Sequence, residues 1–268
     1  MSGWTFPGWK GRFYPKGLSA KKELEFASRQ VTSIEVNGTF YRVLAPKSFE
    51  SWYQMVPPDF VFSLKAPKFV THVRRGKDVD SGVANFLASG IFLLKEKLGP
   101  ILWQFPPNVM LKDDRFDKFA ALLPKDVAQA EKLAQNHSEW LNGKAVTSAT
   151  GVGKIRHAIE FRHPSFFNRD FLQMLAGHGI AAVFAHGGKK DLYTEQPTAD
   201  FVYARMHGQG KGFKKGYPLK VLGEWVETLR AMGAKKKGPK AASIYFDTEE
   251  KKYSPDDAKH LIEILKKA

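Results

Sequence analysis

Phe201-Val-Tyr-Ala-Arg-Met-His207 is the most informative stretch of this 268-residue sequence. It is rich in β-branched and aromatic residues and contains no proline or glycine, which is typical of a buried strand. Six comparable runs lie elsewhere in the chain, at Val31–Asn37, Phe60–Ala66, Pro100–Phe105, His157–Arg162, Ile180–His186 and Ala242–Asp247. With an additional strand before Trp9, the number of predicted strands would be eight.

Helix signals lie between these runs. Ser19 precedes an amphipathic stretch, Pro46 opens another, Ser165 is a candidate cap for Phe166–His178, and a Ser-Pro-Asp-Asp sequence at 254–257 opens the last helix. Strands that alternate with helices predict an α/β fold with a parallel sheet. Eight such units favour a single (β/α)8 TIM-type barrel over an open doubly wound sheet.

One polar stretch, residues 125–154, interrupts this alternation before the fifth strand. It is too small and too polar to build a core of its own. We therefore predict one domain over residues 1–268, with a helix and a surface loop inserted at about 125–154.

Composition limits the classes of protein and of site. The sequence has no cysteine, which excludes disulfides, thiolate nucleophiles, iron–sulfur clusters and cysteine zinc sites. There is no apolar run of about 18 residues and no signal-like start, so we predict a cytoplasmic protein without membrane contact. The net charge of +15 favours anionic partners, either nucleic acid or phosphorylated metabolites, although many lysines lie in solvated runs. The sequence predicts no oligomeric state.

Polar residues gather where the predicted strands end. Side chains two residues apart share one face of a strand, and the ends of parallel strands meet at one rim. Burying charged groups is costly unless they are paired or functional. Ion pairs such as Glu160 with Arg205 would explain them structurally, whereas their number favours a site at the rim. The set comprises Glu35, Asn37, Lys65, Gln104, Glu160, Arg162, His186, Arg205, His207 and Asp247.

The residue types suggest acid–base chemistry on an anion. Glu160 is the leading candidate for a general acid or base, and His207 and His186 could transfer protons. Lys65, Arg162 and Arg205 are suited to holding a phosphate or carboxylate. A metal could instead use Glu35, Glu160, His186, His207 and Asp247, but no HExxH-type spacing occurs, so we predict no metal and leave the cofactor unknown.

Two loops offer weaker signals. Trp4 and Trp9 lie in a glycine- and proline-rich opening, where they could stack on a sugar or base or could simply anchor the loop. The stretch Gly208–Gly216 combines glycines with Lys211, Lys214 and Lys215 and could bind phosphate or be a mobile basic loop.

Several ordered segments resemble the DUF72 family, also called YecE-like proteins. The resemblance covers nearly the whole chain and implies a TIM-barrel fold with unknown function. Its recurring polar residues fall on the rim set, with His72 added. The segments are Gly11–Pro15, Ile34–Arg42, Phe62–Pro67 with Val70–His72, Leu98–Pro107, Ala158–His163, Phe201–Gly208 and Tyr245–Asp247.

Two positions depart from the family pattern. His186 stands where the family usually has aspartate, and Thr248 replaces an asparagine in the final Tyr-Phe-Asp-Asn-Asp segment.

The expectations for function follow from these observations. The first is an enzyme acting on a small anionic, phosphorylated or sugar-like substrate, with Glu35, Glu160, His207 and Asp247 as catalytic residues. Its substrate-binding residues would be Lys65, Arg162, Arg205, Asn37, Gln104 and His72. The alternatives are a nucleic-acid-binding or processing protein similar to endonuclease IV-like barrels, and a non-catalytic ligand-binding protein.

Overall fold

The computed structural model describes residues 1–187, 194–208, 211–248 and 251–267. Its eight strands are β1 (Ser33–Val36), β2 (Val61–Lys65), β3 (Leu98–Gln104), β4 (His157–Glu160), β5 (Ala181–Ala182), β6 (Phe184–His186), β7 (Phe201–Met206) and β8 (Ala241–Phe246). Its α-helices are α1 (Glu23–Ser28), α2 (Gly38–Tyr41), α3 (Pro46–Met55), α4 (Asp80–Ala88), α5 (Arg115–Leu122), α6 (Val127–Gln135), α7 (Arg169–His178), α8 (Leu219–Ala234) and α9 (Ser254–Lys267).

All strand pairs are parallel, which confirms the predicted α/β class. The strands form a five-stranded sheet, β1 to β5 in chain order, and a three-stranded sheet, β6 to β8. The predicted strand Ile180–His186 is divided between the two sheets, since β5 pairs with β4 and β6 pairs with β7. Val183 lies at the junction, and its N–H donates to the Ile159 carbonyl at 3.0 Å.

The strand expected before Trp9 is reduced to a short bridge. Ser2 forms an isolated parallel bridge with Glu35, and the Gly3 N–H donates to the Glu35 carbonyl at 2.8 Å. On the other side, the Ser2 N–H donates to the Phe246 carbonyl at 3.2 Å. Residues 2 and 3 therefore bond to both β1 and β8.

Apolar side chains separate into two clusters. A large one packs the strands against the helices and includes Trp9, Phe49 and Trp103. A small one contains Leu102, Ala158, Phe201, Tyr203 and Tyr245. Because Phe201 and Tyr203 alternate with Val202 and Ala204, the small cluster lies on the strand face that also carries Arg205. It forms an apolar layer beneath the polar strand ends.

The structure modifies one predicted helix start. Helix α7 begins at Arg169, and the side chain of Asn168 accepts a hydrogen bond from the Phe171 N–H. Ser165, the predicted cap, lies in a preceding turn, where its hydroxyl accepts from the Leu111 N–H at 2.9 Å. The polar stretch before β4 contains α6, whose Ala130 and Ala134 are fully buried.

None of the helices in the described ranges is long and apolar enough to cross a membrane.

Candidate functional site

Arg205 is the centre of the polar strand ends. It lies near the end of β7 and is fully buried, in the same cluster as Glu35, which is also fully buried. Its Nε and one terminal nitrogen donate to the two oxygens of Glu35 at 3.0 and 2.9 Å. Its other terminal nitrogen donates to Glu160 Oε2 at 2.7 Å, and the terminal nitrogen that bonds Glu35 also donates to Asp247 Oδ2 at 2.6 Å. Four of its five N–H groups are thereby used, and one guanidinium joins carboxylates that belong to β1, β4 and the end of β8. We call these four residues the strand-end cluster.

Arg205 was expected to bind an anionic ligand, but in the structure it binds carboxylates of the protein itself. A guanidinium that is buried and bonded to three carboxylates has almost no donor left for a ligand. Its function in the cluster is to compensate buried negative charge, which would otherwise be costly.

Neutral hydroxyl groups complete the contacts of Glu35. The Tyr203 hydroxyl donates to Oε2 at 2.7 Å and the Ser2 hydroxyl donates to Oε1 at 2.9 Å. Asn37 in turn donates its amide N–H to the Ser2 hydroxyl at 2.7 Å. Burial, together with the negative charge of Glu35, raises the pKa of Tyr203 well above its ordinary value, so this hydroxyl remains a donor.

Sequence reasoning missed Ser2 and Tyr203 as members of the site. Tyr203 lies two residues before Arg205, so strand alternation would have placed it on the same face. Ser2 carried no usable signal, because it precedes any recognisable strand.

Two basic side chains lie beside the second oxygen of Glu160. Arg162 donates its Nε to Oε1 at 2.9 Å, and His207 Nε2 lies 3.3 Å from the same oxygen. Burial alone would raise the pKa of Glu160, but the Arg205 guanidinium, the His207 hydrogen bond and Arg162 outweigh it and hold that pKa well below the usual range. Glu160 is therefore ionised at neutral pH.

Asp247 follows the same rule. Burial alone would raise the pKa of Asp247, but the charges of Arg205 and then Lys251 lower it, and the resulting pKa is about 2. Lys251 Nζ lies 3.6 Å from Asp247 Oδ1. Asp247 is also the most accessible carboxylate of the cluster, with 20% of its side chain exposed.

Lys65 and His72 face the cluster without joining its ion pairs. Lys65 Nζ lies 4.5 Å from the centre of the Phe40 ring, and the His72 ring packs edge-on against the same phenylalanine. Burial and the charge of Arg205 lower the pKa of Lys65. Burial and the charges of Lys65 and Arg162 lower the pKa of His72.

The remaining expected site residues have structural contacts. Gln104 is 5% exposed and donates its amide to the Phe105 carbonyl at 2.8 Å. His186 Nδ1 lies 3.2 Å from the Tyr217 hydroxyl, and its ring packs against Phe213 and Trp225. Both residues lie at strand ends. The side-chain amide of Gln104 is bonded to a backbone carbonyl, and the His186 ring contacts a tyrosine hydroxyl and aromatic rings.

Thr248, the second departure from the family pattern, is buried, and its hydroxyl lies 3.0 Å from that of Ser254 at the start of α9. It thus ties the end of β8 to this helix. The acidic residue that follows it, Glu249, lies outside the described residues.

The carboxylates considered as metal ligands are already occupied by Arg205. Over the described ranges, no group of three His, Asp or Glu side chains is arranged to hold a metal ion. In the predicted phosphate loop, Gln209, Gly210 and the side chain of Lys211 lie outside the described residues. Lys214 is bridged to Gly216 there.

Comparison with known proteins agrees with the resemblance seen in the sequence. A DUF72 protein from Thermotoga maritima MSB8 shares 24% identity over 99% of this chain and 97% of its own, with a TM-score of 0.74. One from Enterococcus faecalis V583 shares 16% identity over 91% of this chain and 93% of its own, with a TM-score of 0.66. No curated protein matches the sequence. The family model described as "Protein of unknown function DUF72" matches residues 1–268, and the chain belongs to this family.

Proposed function

We propose that the protein is an enzyme acting on a small anionic substrate, phosphorylated or sugar-like, at the strand ends. The observation that carries this proposal is the charge distribution around Arg205. Its guanidinium is bonded to Glu35, Glu160 and Asp247. Beside these carboxylates lie the cationic side chains of Lys65, Arg162 and Lys251, and cationic side chains attract an anion.

Arg162 and Lys65 are the proposed anion-binding residues. The side chain of Arg162 is 38% exposed, and its contact with Glu160 uses Nε, which leaves its terminal nitrogens for a ligand. Lys65 is half-buried and forms no ion pair with the described carboxylates, so its ammonium can take one from a substrate.

His207 is the proposed proton-transfer residue, with Glu160 as its orienting carboxylate. A carboxylate with a strongly lowered pKa is a poor proton acceptor, whereas imidazole exchanges protons near neutral pH. Glu160 accepts the contact from His207 Nε2 and fixes the ring. This assignment moves the acid–base role from Glu160, the leading candidate from the sequence, to its neighbour.

We also propose that the two sheets belong to one closed (β/α)8 barrel in a single domain with an insertion at about 125–154. The support is that residues 2 and 3 bond to both β1 and β8, while β5 and β6 are separated by Val183 alone. Closure would bring every strand end to one rim.

Turnover assays on a panel of sugar phosphates and phosphomonoesters, followed by phosphorus NMR, test the enzyme proposal. We expect His207→Asn to lower the rate on any active substrate by about 100-fold or more, the usual contribution of a general acid or base. His260→Asn, which changes a half-buried histidine on α9, should leave the rate unchanged.

An inactive panel, or equal rates for both variants, would contradict the proposal. Mass spectrometry of the gently purified protein would then show whether an anion is bound without turnover. Duplex DNA binding that weakens with salt at a log–log slope of about −0.9 per phosphate contact would instead favour the nucleic-acid alternative, which the net charge of +15 motivates.

A further inference from the structure

A cavity of about 370 Å³ adjoins the strand-end cluster. Its size falls within the range of small-molecule sites, which is about 300–1,000 Å³. Two of its lining residues belong to the contacts already described, since Ser2 donates to Glu35 and Lys251 lies beside Asp247. The other side chains that matter are Trp4, Phe6, Asn37, Arg42 and Trp52.

One wall of the cavity is aromatic and firmly supported. The rings of Trp4 and Trp52 meet edge to face, with centres 5.2 Å apart and planes at 81°. Trp52 also packs on Phe49 and Phe62, which are fully buried. Indole rings fixed in this way offer a large contact area to a flat ligand at little entropic cost.

Trp9 has a different role from Trp4. It is 1% exposed, and its indole N–H donates to the Lys251 carbonyl at 2.7 Å. Trp9 therefore anchors the loop that carries Lys251, and Trp4 is the tryptophan of the opening segment that is available for stacking.

The lining also includes polar and cationic side chains. Arg42 is exposed, and no described residue forms an ion pair or hydrogen bond with its side chain. Its fork of donors matches a phosphate group. Lys251 adds a second positive charge, and Asn37 adds an amide whose N–H already bonds Ser2 and whose oxygen can accept from a ligand.

We propose that this cavity binds a nucleoside monophosphate, with the base on the wall of Trp4 and Trp52 and the phosphate held by Arg42 and Lys251. The flat base of such a ligand can stack on the indole rings, and its terminal phosphate dianion can pair with the two cations. That this ligand is also a substrate rests on the proposed function, whereas its binding does not.

Isothermal titration calorimetry with AMP tests the assignment, with ribose 5-phosphate and inorganic phosphate as comparison ligands. We expect AMP to bind at least tenfold more tightly than either, because only AMP uses the aromatic wall. Arg42→Ala and Trp4→Leu should each weaken AMP binding at least tenfold. Arg169→Ala removes the same charge from an exposed arginine at the start of α7, outside the cavity lining, and should leave the affinity unchanged.

Several results would overturn the assignment. They are absence of AMP binding at millimolar concentration, equal binding of ribose 5-phosphate, or equal weakening by Arg42→Ala and Arg169→Ala. Circular dichroism shows whether Trp4→Leu is folded, and Arg42→Ala provides the test on an exposed residue if it is not. AMP binding without turnover of any phosphate would contradict the enzyme proposal alone, while turnover of another phosphate without AMP binding would contradict this assignment alone.

Discussion

Asp247 and Asp257 are two mostly buried aspartates on either side of the start of α9, and their pKa values move in opposite directions. Asp247 is bonded to Arg205 at 2.6 Å, with Lys251 at 3.6 Å, and its pKa falls to about 2. The pKa of Asp257 rises to about 7, because burial outweighs its one bond from the Tyr217 N–H at 2.9 Å.

The difference lies in the cations that surround each carboxylate. Arg205 bonds all three acids of the strand-end cluster, and two further cations lie beside them, Arg162 at Glu160 and Lys251 at Asp247. Asp257 has only the backbone N–H of Tyr217, the carboxylate of Asp256 raises its pKa further, and its Oδ2 is buried without a partner among the described residues. Each carboxylate of the strand-end cluster thus contacts at least one cation, whereas the carboxylate of Asp257 contacts only a neutral backbone N–H. Both can be tested by removing charge.

Arg205→Met should have the largest effect, because it leaves three buried carboxylates without their guanidinium. Removing one partner of a buried ion pair typically costs about 3–5 kcal/mol, and we expect at least this loss in the free energy of unfolding measured with urea. Adding Glu35→Gln to Arg205→Met should recover part of the loss, since one uncompensated charge disappears.

Arg12→Ala is the matched control for that experiment. Arg12 bonds Asp256 at 2.6 Å, but both side chains are more than one third exposed. Such surface pairs contribute less than about 1 kcal/mol. If Arg205→Met and Arg12→Ala had similar effects, the strand-end cluster would not depend on charge compensation.

Much of this cluster could be predicted from the sequence. Alternation along single strands was sufficient to place Glu160 with Arg162 and Arg205 with His207 at strand ends, and parallel strands brought those ends together. Helix and strand order along the chain likewise predicted the α/β class, and Pro46, which was predicted to open a helix, is the first residue of α3.

The groups that each of these side chains contacts could not be predicted in the same way. Whether Arg205 contacts a ligand or three carboxylates depends on distances between β1, β4, β7 and the end of β8, and the sequence gives no such distances. The division of the strand at Val183 was also invisible, because its apolar run is continuous on both sides. The sequence identified Asp257 only as an acidic residue at a helix start, because its hydrogen bond from Tyr217 joins residues that are 40 positions apart.

Asp257→Asn should increase the stability of the protein, by less than the loss expected for Arg205→Met. An acid whose folded-state pKa lies above its unfolded value destabilises the fold once it ionises. Its contribution to stability is therefore lost as the pH rises from about 4 towards about 7, and the loss persists above that. We expect the variant to be more stable than the wild type by about 1–2 kcal/mol at alkaline pH, after allowing for the amide's own unsatisfied N–H.

Urea unfolding across this pH range measures the difference between the two proteins. Asp256→Asn changes the adjacent residue, loses the surface pair with Arg12 and removes only the repulsion that Asp256 exerts on Asp257, so it should show at most a small part of this pH-dependent gain. A variant at Asp257 that is less stable than the wild type at alkaline pH would show that the ionised carboxylate is compensated after all.

Ser2→Ala should have the smallest effect and would show how much neutral groups contribute to the strand-end cluster. The change removes the hydroxyl that donates to Glu35 and accepts from Asn37. Glu35 keeps both bonds from Arg205 and the one from Tyr203, so its charge stays compensated. We expect a loss of about 1 kcal/mol in urea unfolding, the usual contribution of one hydrogen bond. Ser148→Ala, at an exposed hydroxyl, should change almost nothing. A loss for Ser2→Ala as large as that of Arg205→Met would mean that hydroxyl donors stabilise the buried carboxylates as much as the guanidinium does.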